Sequence, residues 1–367
     1  MDETNLARIL DASANRAREA LRVLEDYCRF VLNDAVLSGE LKQMRHGLAD
    51  ALATLPVNQL LEARETERDV GRALTAPGEE SRHGLHAVVE ANCKRLQEAL
   101  RSLEEFAKIP SPLTTHHSPL TNVDLGRALE KLRYQSYTIE RALTLGALAR
   151  ERLAEVRLCV LVTESELPLP SGGEGWVRGL ESIIKEAAAG GATMIQLREK
   201  NLNDRQLLEL ARNVRRWTSE AGVLLIVNDR PDIARLSNAD GVHLGQDDLP
   251  VMEARQILGP DRLIGVSTHN LDQVRQAILD GASYLGVGPA FPGGTKEFTE
   301  FPGLDFVSRA TQETGLPVFV IGGVTLQNIA QVAAAGASRI AVSQAVCQSS
   351  NPRQAAEELL RLLTPDS

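Results

Sequence analysis

Leu224-Leu225-Ile226-Val227-Asn228-Asp229, followed by a short helical stretch and then Gly241-Val242-His243-Leu244-Gly245-Gln246-Asp247-Asp248, decides the fold of this chain. Each apolar run is short and stops abruptly at amide and carboxylate side chains. Unbroken apolar runs of about four to eight residues mark strands buried on both faces, as in a parallel sheet. Two such runs separated by a helix form one strand–helix–strand unit.

The same alternation extends from Arg157 to the end of the chain. Candidate strands are Leu158–Thr163, Thr193–Arg198, Leu224–Asn228, Gly241–Leu244, Leu263–Ser267, Tyr284–Gly288, Val318–Ile321 and Arg339–Ser343. Eight strand–helix units in roughly 210 residues are the count and length of a compact (β/α)8 barrel. Strand counting alone leaves a doubly wound sheet as the alternative. A local signature recurs at three helix-to-strand junctions: Gly191-Ala192-Thr193, Gly281-Ala282-Ser283 and Gly336-Ala337-Ser338. Glycine there can take the left-handed position that ends a helix.

Residues 1–150 read as an all-helical domain ahead of a barrel domain at 151–367. Leu6, Ile9, Leu10, Ala17, Leu21, Leu24, Cys28 and Val31 recur at spacings of three and four, which puts them on one helical face. The run from Asn15 to Tyr27, with Arg22-Val23-Leu24-Glu25-Asp26, is echoed from Lys94 to Phe106, with Arg101-Ser102-Leu103-Glu104-Glu105. The echo predicts two related helices stacked in a pseudo-symmetric bundle. A break through Pro110, Pro112 and Pro119 contains His116-His117, and a helix from about Val123 to Glu155 leads into the barrel.

The 367 residues are too many for one typical core and comfortable for two domains. With 24% charged and 43% hydrophobic residues, the composition is that of a globular protein. The net charge of -9 argues against a general nucleic-acid binder, which needs a basic face. The polar start Met1-Asp2-Glu3-Thr4-Asn5 carries no secretory signal, and no apolar run reaches the roughly 20 residues that span a bilayer. Cys28, Cys93, Cys159 and Cys347 lie far apart, so neither a zinc site nor a disulfide framework is expected, and a reducing cytoplasm fits.

The chemistry lies where the strands run out. Gln196, Arg198 and Lys200 alternate and so share one face of an extended chain; the plain alternative is a solvated strand end. Asp229 at the end of a buried strand needs a partner or a metal ion, or else it caps the next helix. Asp247 and Asp248 end the neighbouring strand, and Asp229 with one of them could share a magnesium ion, which takes one or two carboxylates plus phosphate oxygens and water. His243 reads as a satisfied core histidine. After Tyr284–Gly288 comes the loop Gly293-Gly294-Thr295-Lys296, whose glycines let backbone N–H groups approach an anion; it lacks the order of a Walker loop. Ile321-Gly322-Gly323 ends strand seven and Ala341-Val342-Ser343-Gln344 ends strand eight, the two places where such barrels often bind phosphate.

In this order the runs resemble those of thiamine phosphate synthases over residues from about 157 to 363. The matching motifs are Gln196-Leu197-Arg198-Glu199-Lys200, Val227-Asn228-Asp229, Gly241 to Asp248, Gly265-Val266-Ser267, Gly286-Val287-Gly288-Pro289, Thr295-Lys296 and Ile321-Gly322-Gly323-Val324. The resemblance implies a TIM barrel that joins a hydroxymethylpyrimidine diphosphate to a thiazole phosphate with one Mg²⁺ per site, releasing diphosphate. It implies Asp229 and Asp248 as metal ligands. It implies Gln196, Leu197, Arg198, Glu199, Lys200, Asn228, Ser267 and Lys296 at the pyrimidine diphosphate, of which Arg198, Lys200, Ser267 and Lys296 are catalytic. Gly293, Gly294, Thr295, Gly323, Ser343 and Gln344 fall to the thiazole phosphate. Two positions depart from the family pattern: Gly293 stands where a hydroxyl residue is usual, and Ser343-Gln344 stands where an aliphatic residue and Ser are usual. The N-terminal half resembles a helical extension of some bacterial homologues, which implies no activity; a solvated bundle is the simple reading, and oligomerisation or partner docking the sharper one. Rival readings are a thiazole tautomerase-like relative and a regulatory barrel that only binds ligand.

Overall fold

The computed structural model describes residues 3–65, 81–110, 113, 122–163, 174–292 and 302–363. The chain divides into two compact units, Met1–Arg141 and Ala142–Ser367. The boundary falls inside a long helix rather than at its end near residue 150.

The first unit contains α1 (Glu3–Phe30), α2 (Ala35–Leu52), α3 (Val57–Glu62), α4 (Leu85–Ala107) and most of α5 (Asn122–Arg152). The apolar stripe of α1 buries Leu6, Leu10, Ala17, Leu21, Leu24 and Cys28. Ile9 is only half-buried, and Val31 lies beyond the helix end and is 45% exposed. Asp34 caps α2, accepting from the Leu37 N–H at 2.8 Å.

The sequence echo is also a structural one. Ser13 on α1 meets Ser102 on α4, hydroxyl to hydroxyl at 3.0 Å. Glu25 and Glu104, equivalent in the echo, are both buried, at 4% and 3% exposure. Each is ringed by the cation three residues before it, the cation four residues after it and an arginine from another helix. For Glu25 these are Arg22, Arg29 and Arg45; for Glu104 they are Arg101, Lys108 and Arg133. Burial pushes the Glu104 carboxyl up, but hydrogen bonds from Arg133 and Lys108 outweigh it and hold the group below the ordinary carboxylate range. The prolines at 112 and 119 and His116-His117 lie outside the described residues.

The second unit is a closed barrel in strand order β1 to β8. The strands are β1 (Leu158–Val162), β2 (Met194–Leu197), β3 (Leu224–Asn228), β4 (Gly241–Leu244), β5 (Leu263–Thr268), β6 (Tyr284–Val287), β7 (Val318–Ile321) and β8 (Ile340–Val342). Every pairing is parallel, and the ring closes through Leu158↔Ile340 and Cys159↔Ala341. This closure excludes the doubly wound alternative. The outer helices are α6 (Glu174–Ala189), α7 (Asp204–Ala221), α8 (Pro231–Leu236), α9 (Val251–Leu258), α10 (Leu271–Asp280), α11 (Gly303–Glu313), α12 (Ile329–Ala334), α13 (Gln344–Cys347) and α14 (Pro352–Leu363).

Gly191, Gly281 and Gly336, the recurring junction glycines, take φ of 95°, 87° and 90°, the left-handed backbone that stops a helix without a Cβ penalty. Cys159, Met194, Ile226, Leu263, Tyr284 and Phe319 fill the barrel interior, together with Ala149, Leu153 and Val156 from the end of α5 and the segment after it. The interior is therefore a packed core, and open space is left at the C-terminal ends of the strands.

Candidate active site

A cavity of about 670 Å³ opens at those C-terminal ends. The strand ends place ten of the expected residues on its wall: Gln196 on β2 with Arg198 and Lys200 after it, Asn228 ending β3 with Asp229 after it, Asp248 after β4, Ser267 on β5, Gly323 after β7, and Ser343 and Gln344 after β8. Leu197 and Glu199 are not on the wall. Strand alternation explains the difference, since Leu197 points to the opposite face and is 1% exposed. Gly293, Gly294, Thr295 and Lys296 lie outside the described residues.

Gln196 and Asn228 form a buried pair, the Gln196 amide donating to Asn228 Oδ1 at 2.8 Å. In the β2–β3 register Gln196 faces Ile226, so Asn228 is its diagonal neighbour on the same face.

Asp229 does not cap α8. Its φ of 63° is left-handed, uncommon for a residue with a side chain, and the cap position falls to Arg230, which pairs with Asp204 and Asp232. The Asp229 carboxylate instead lies 3.3 Å from Lys200 Nζ and beside Asp248. Asp248 is held by the Gly245 N–H at 2.6 Å. Burial, and then the neighbouring Asp248, raise the Asp229 carboxyl above its ordinary range, against the pull of Lys200. Two carboxylates crowded in a partly buried place repel each other, and Lys200 beside Asp229 offsets part of that charge. Among the described residues, no group of three or more His, Cys, Asp or Glu is arranged around a metal position.

His243 is buried, in keeping with the core reading, yet it also lines the cavity. Its Nδ1 lies 3.2 Å from the Tyr284 hydroxyl and its Nε2 2.9 Å from Ser267 Oγ. No motif marks Tyr284 as a polar residue of the site, although the glycines facing it are a signal. A Cβ on Gly265 would overlap the Tyr284 ring, and one on Gly286 would come within 3.0 Å of the His243 ring.

On the opposite wall Gly322 and Gly323 have φ of 96° and 65°, and Asn328 donates to the Gly323 carbonyl at 2.8 Å. The Ser343 hydroxyl donates to the Leu161 carbonyl of β1 at 2.8 Å. Its proton is thus directed to the sheet rather than to the cavity. Thr163 and His269 also line the wall, with no sequence motif to mark them.

A closed parallel barrel whose strand ends gather a carboxylate pair, cations and glycine turns around one cavity has the active-site layout of TIM-barrel enzymes. Residues 160–346 match the model of the thiamine monophosphate synthase family, and residues 8–142 match that of the ThiD2 family. The chain is 43% identical over 98% of its length, and 95% of the relative's, to a thiamine-phosphate synthase of Thermosynechococcus vestitus. It is 40% identical over its full length, and 96% of the relative's, to one of Rhodopirellula baltica. The solved thiamine phosphate pyrophosphorylase of Pyrococcus furiosus aligns with a TM-score of 0.50 at 33% identity, covering 57% of this chain and 96% of that one. The chain belongs to the thiamine monophosphate synthase family.

Among the described residues, no helix is long and apolar enough to cross a membrane.

Proposed function

We infer that the barrel condenses 4-amino-2-methyl-5-(diphosphooxymethyl)pyrimidine with 4-methyl-5-(2-phosphooxyethyl)thiazole, giving thiamine phosphate and diphosphate. The observation that carries this reading is the Asp229–Asp248 pair beside Lys200, on one cavity wall with Arg198. A tautomerase acting on a thiazole phosphate needs no such site.

The chemistry asks little of a protein nucleophile. The pyrimidine amino group donates electrons to the ring, so the exocyclic methylene carbon can release diphosphate and become a stabilised cation. The thiazole nitrogen then attacks that carbon. The enzyme's work is to neutralise the departing diphosphate, hold the nitrogen in line and exclude water.

Asp229 and Asp248 would hold Mg²⁺, which supplies positive charge to the leaving diphosphate. Arg198, Lys200 and Lys296 add cationic contacts, and Ser267 offers a hydroxyl at the same end. Gln196 receives the pyrimidine side of the substrate, and Asn228, hydrogen-bonded to it, contacts the diphosphate; Leu197 and Glu199 support that strand end from off the wall. The thiazole phosphate lies toward Gly293, Gly294, Thr295, Gly323, Ser343 and Gln344. With the Ser343 proton directed to Leu161, backbone N–H groups carry more of that phosphate's recognition. This chemistry uses no residue of 1–150, the helical domain whose residues 8–142 match the ThiD2 family.

The test supplies both phosphorylated substrates with Mg²⁺ and measures thiamine phosphate and diphosphate together. Turnover disappears with a chelator and returns with added Mg²⁺. Equal turnover in chelator, or none with metal, refutes the reading.

A further inference from the structure

At the cavity wall, three side chains from consecutive strands form a polar line, with Tyr284 behind the other two. Tyr284 of β6 meets His243 of β4 at Nδ1, 3.2 Å away, and His243 Nε2 meets Ser267 of β5 at 2.9 Å. Tyr284 is 2% exposed and His243 7% exposed, and both His243 and Ser267 line the cavity. Gly265 and Gly286 leave the space that the two rings occupy.

A neutral imidazole has one donor and one acceptor nitrogen, so two proton arrangements are open. In one, His243 donates from Nδ1 to Tyr284 and Ser267 donates to Nε2. The Tyr284 hydroxyl proton then needs another acceptor. Among the described residues its hydrogen-bond partner is His243, so this arrangement strands a buried O–H without an acceptor. In the other, Tyr284 donates to Nδ1, Nε2–H donates to Ser267 Oγ, and every buried proton is used. Burial keeps the Tyr284 phenol protonated by raising it well above its ordinary pKa.

We propose that Tyr284 and His243 are positioning residues that set the Ser267 hydroxyl, so that it accepts from His243 and turns its own proton into the cavity, toward the departing diphosphate. The proposal rests on the reading of Ser267 as a contact to that group. No bond to the protein forms and no proton is transferred. Ser267 keeps its proton and presents it as a hydrogen bond that strengthens as negative charge gathers on the leaving oxygen.

The test combines kinetics with the state of the imidazole. Tyr284→Phe keeps the ring and removes the donor. It lowers kcat about tenfold, the equivalent of about 1.4 kcal/mol, with KM for both substrates within about twofold of wild type. In a Ser267→Ala background the same change has no further effect, because the relay acts only through that hydroxyl. His243→Gln, which keeps an N–H near the Nε2 position, retains more kcat than His243→Leu. A structural role alone gives additive losses and no such rescue. Nitrogen-15 NMR of the histidine-labelled wild-type chain, with His243 assigned by the His243→Gln variant, shows protonated Nε2 and bare Nδ1. A Tyr284→Phe variant with wild-type kcat beside an impaired Ser267→Ala overturns the relay, and so does an Nδ1–H tautomer. A wild type without turnover overturns the reading of the site instead, and the tautomer still decides the relay.

Discussion

Replacing Gln196 and Asn228, singly and together, measures how dry the floor of the cavity is. The two amides are 4% and 9% exposed and joined by one hydrogen bond of 2.8 Å. Gln196→Leu leaves the Asn228 amide buried without its donor, and Asn228→Leu strands the Gln196 amide. Each single change therefore destabilises by about 1–3 kcal/mol, the penalty for an unpaired buried polar group. The double replacement removes both partners and restores part of the loss through apolar contact, so the coupling between the sites is roughly 1–2 kcal/mol. The readout isolates the barrel, because both tryptophans, Trp176 and Trp217, belong to the second unit. Urea unfolding followed by tryptophan fluorescence gives the three free energies directly. Single variants that each lose less than about 0.5 kcal/mol, with additive effects, would mean that water replaces the missing partner, and the reasoning from burial would fail.

Three further outcomes follow from the same geometry. Asp229→Asn keeps a residue tolerant of the left-handed backbone but removes a metal-binding charge, so turnover falls by two or more orders of magnitude. Because the Asp229 pKa is raised in the folded state, the folded barrel holds that proton more tightly than the unfolded chain does. The site's contribution to metal-free stability is present below the ordinary carboxylate pKa and is lost as pH rises through the raised one; Asp248→Asn flattens that slope in fluorescence-monitored unfolding at a series of pH values. Glu104→Gln leaves the nearly buried Arg133 without its charge partner and lowers the helical unit's stability by about 3 kcal/mol, seen as an earlier phase in circular dichroism while the tryptophan transition and kcat stay put. Gly323→Ala forces a Cβ onto a backbone with φ of 65°, 2.9 Å from the Phe291 Cβ; it destabilises by about 1–2 kcal/mol and raises KM for the thiazole phosphate more than for the pyrimidine diphosphate.

Much of this protein is local and was legible in one dimension. The eight apolar runs found the eight strands to within about a residue, because strands buried on both faces must be continuously apolar. The junction glycines and polar strand ends followed from the same logic, and ordered together they carried the family resemblance. Leu197 and Glu199 belong to the matching motif, but alternation along β2 turns Leu197 to the face opposite Gln196. What depended on convergence lay outside the sequence's reach. Ring closure through β1 and β8 decided barrel over open sheet. The same closure brought Ser343 to the Leu161 carbonyl, 182 residues away in the chain. Only folding turned Asp229 from a possible helix cap into the neighbour of Asp248, since that choice depends on the backbone conformation of one residue and the position of another strand. The Tyr284–His243–Ser267 line had no periodic signature, because its members meet between neighbouring strands rather than along the chain. Sequence order determined which side chains stand at the strand ends; shear, closure and interior packing decided which of them meet.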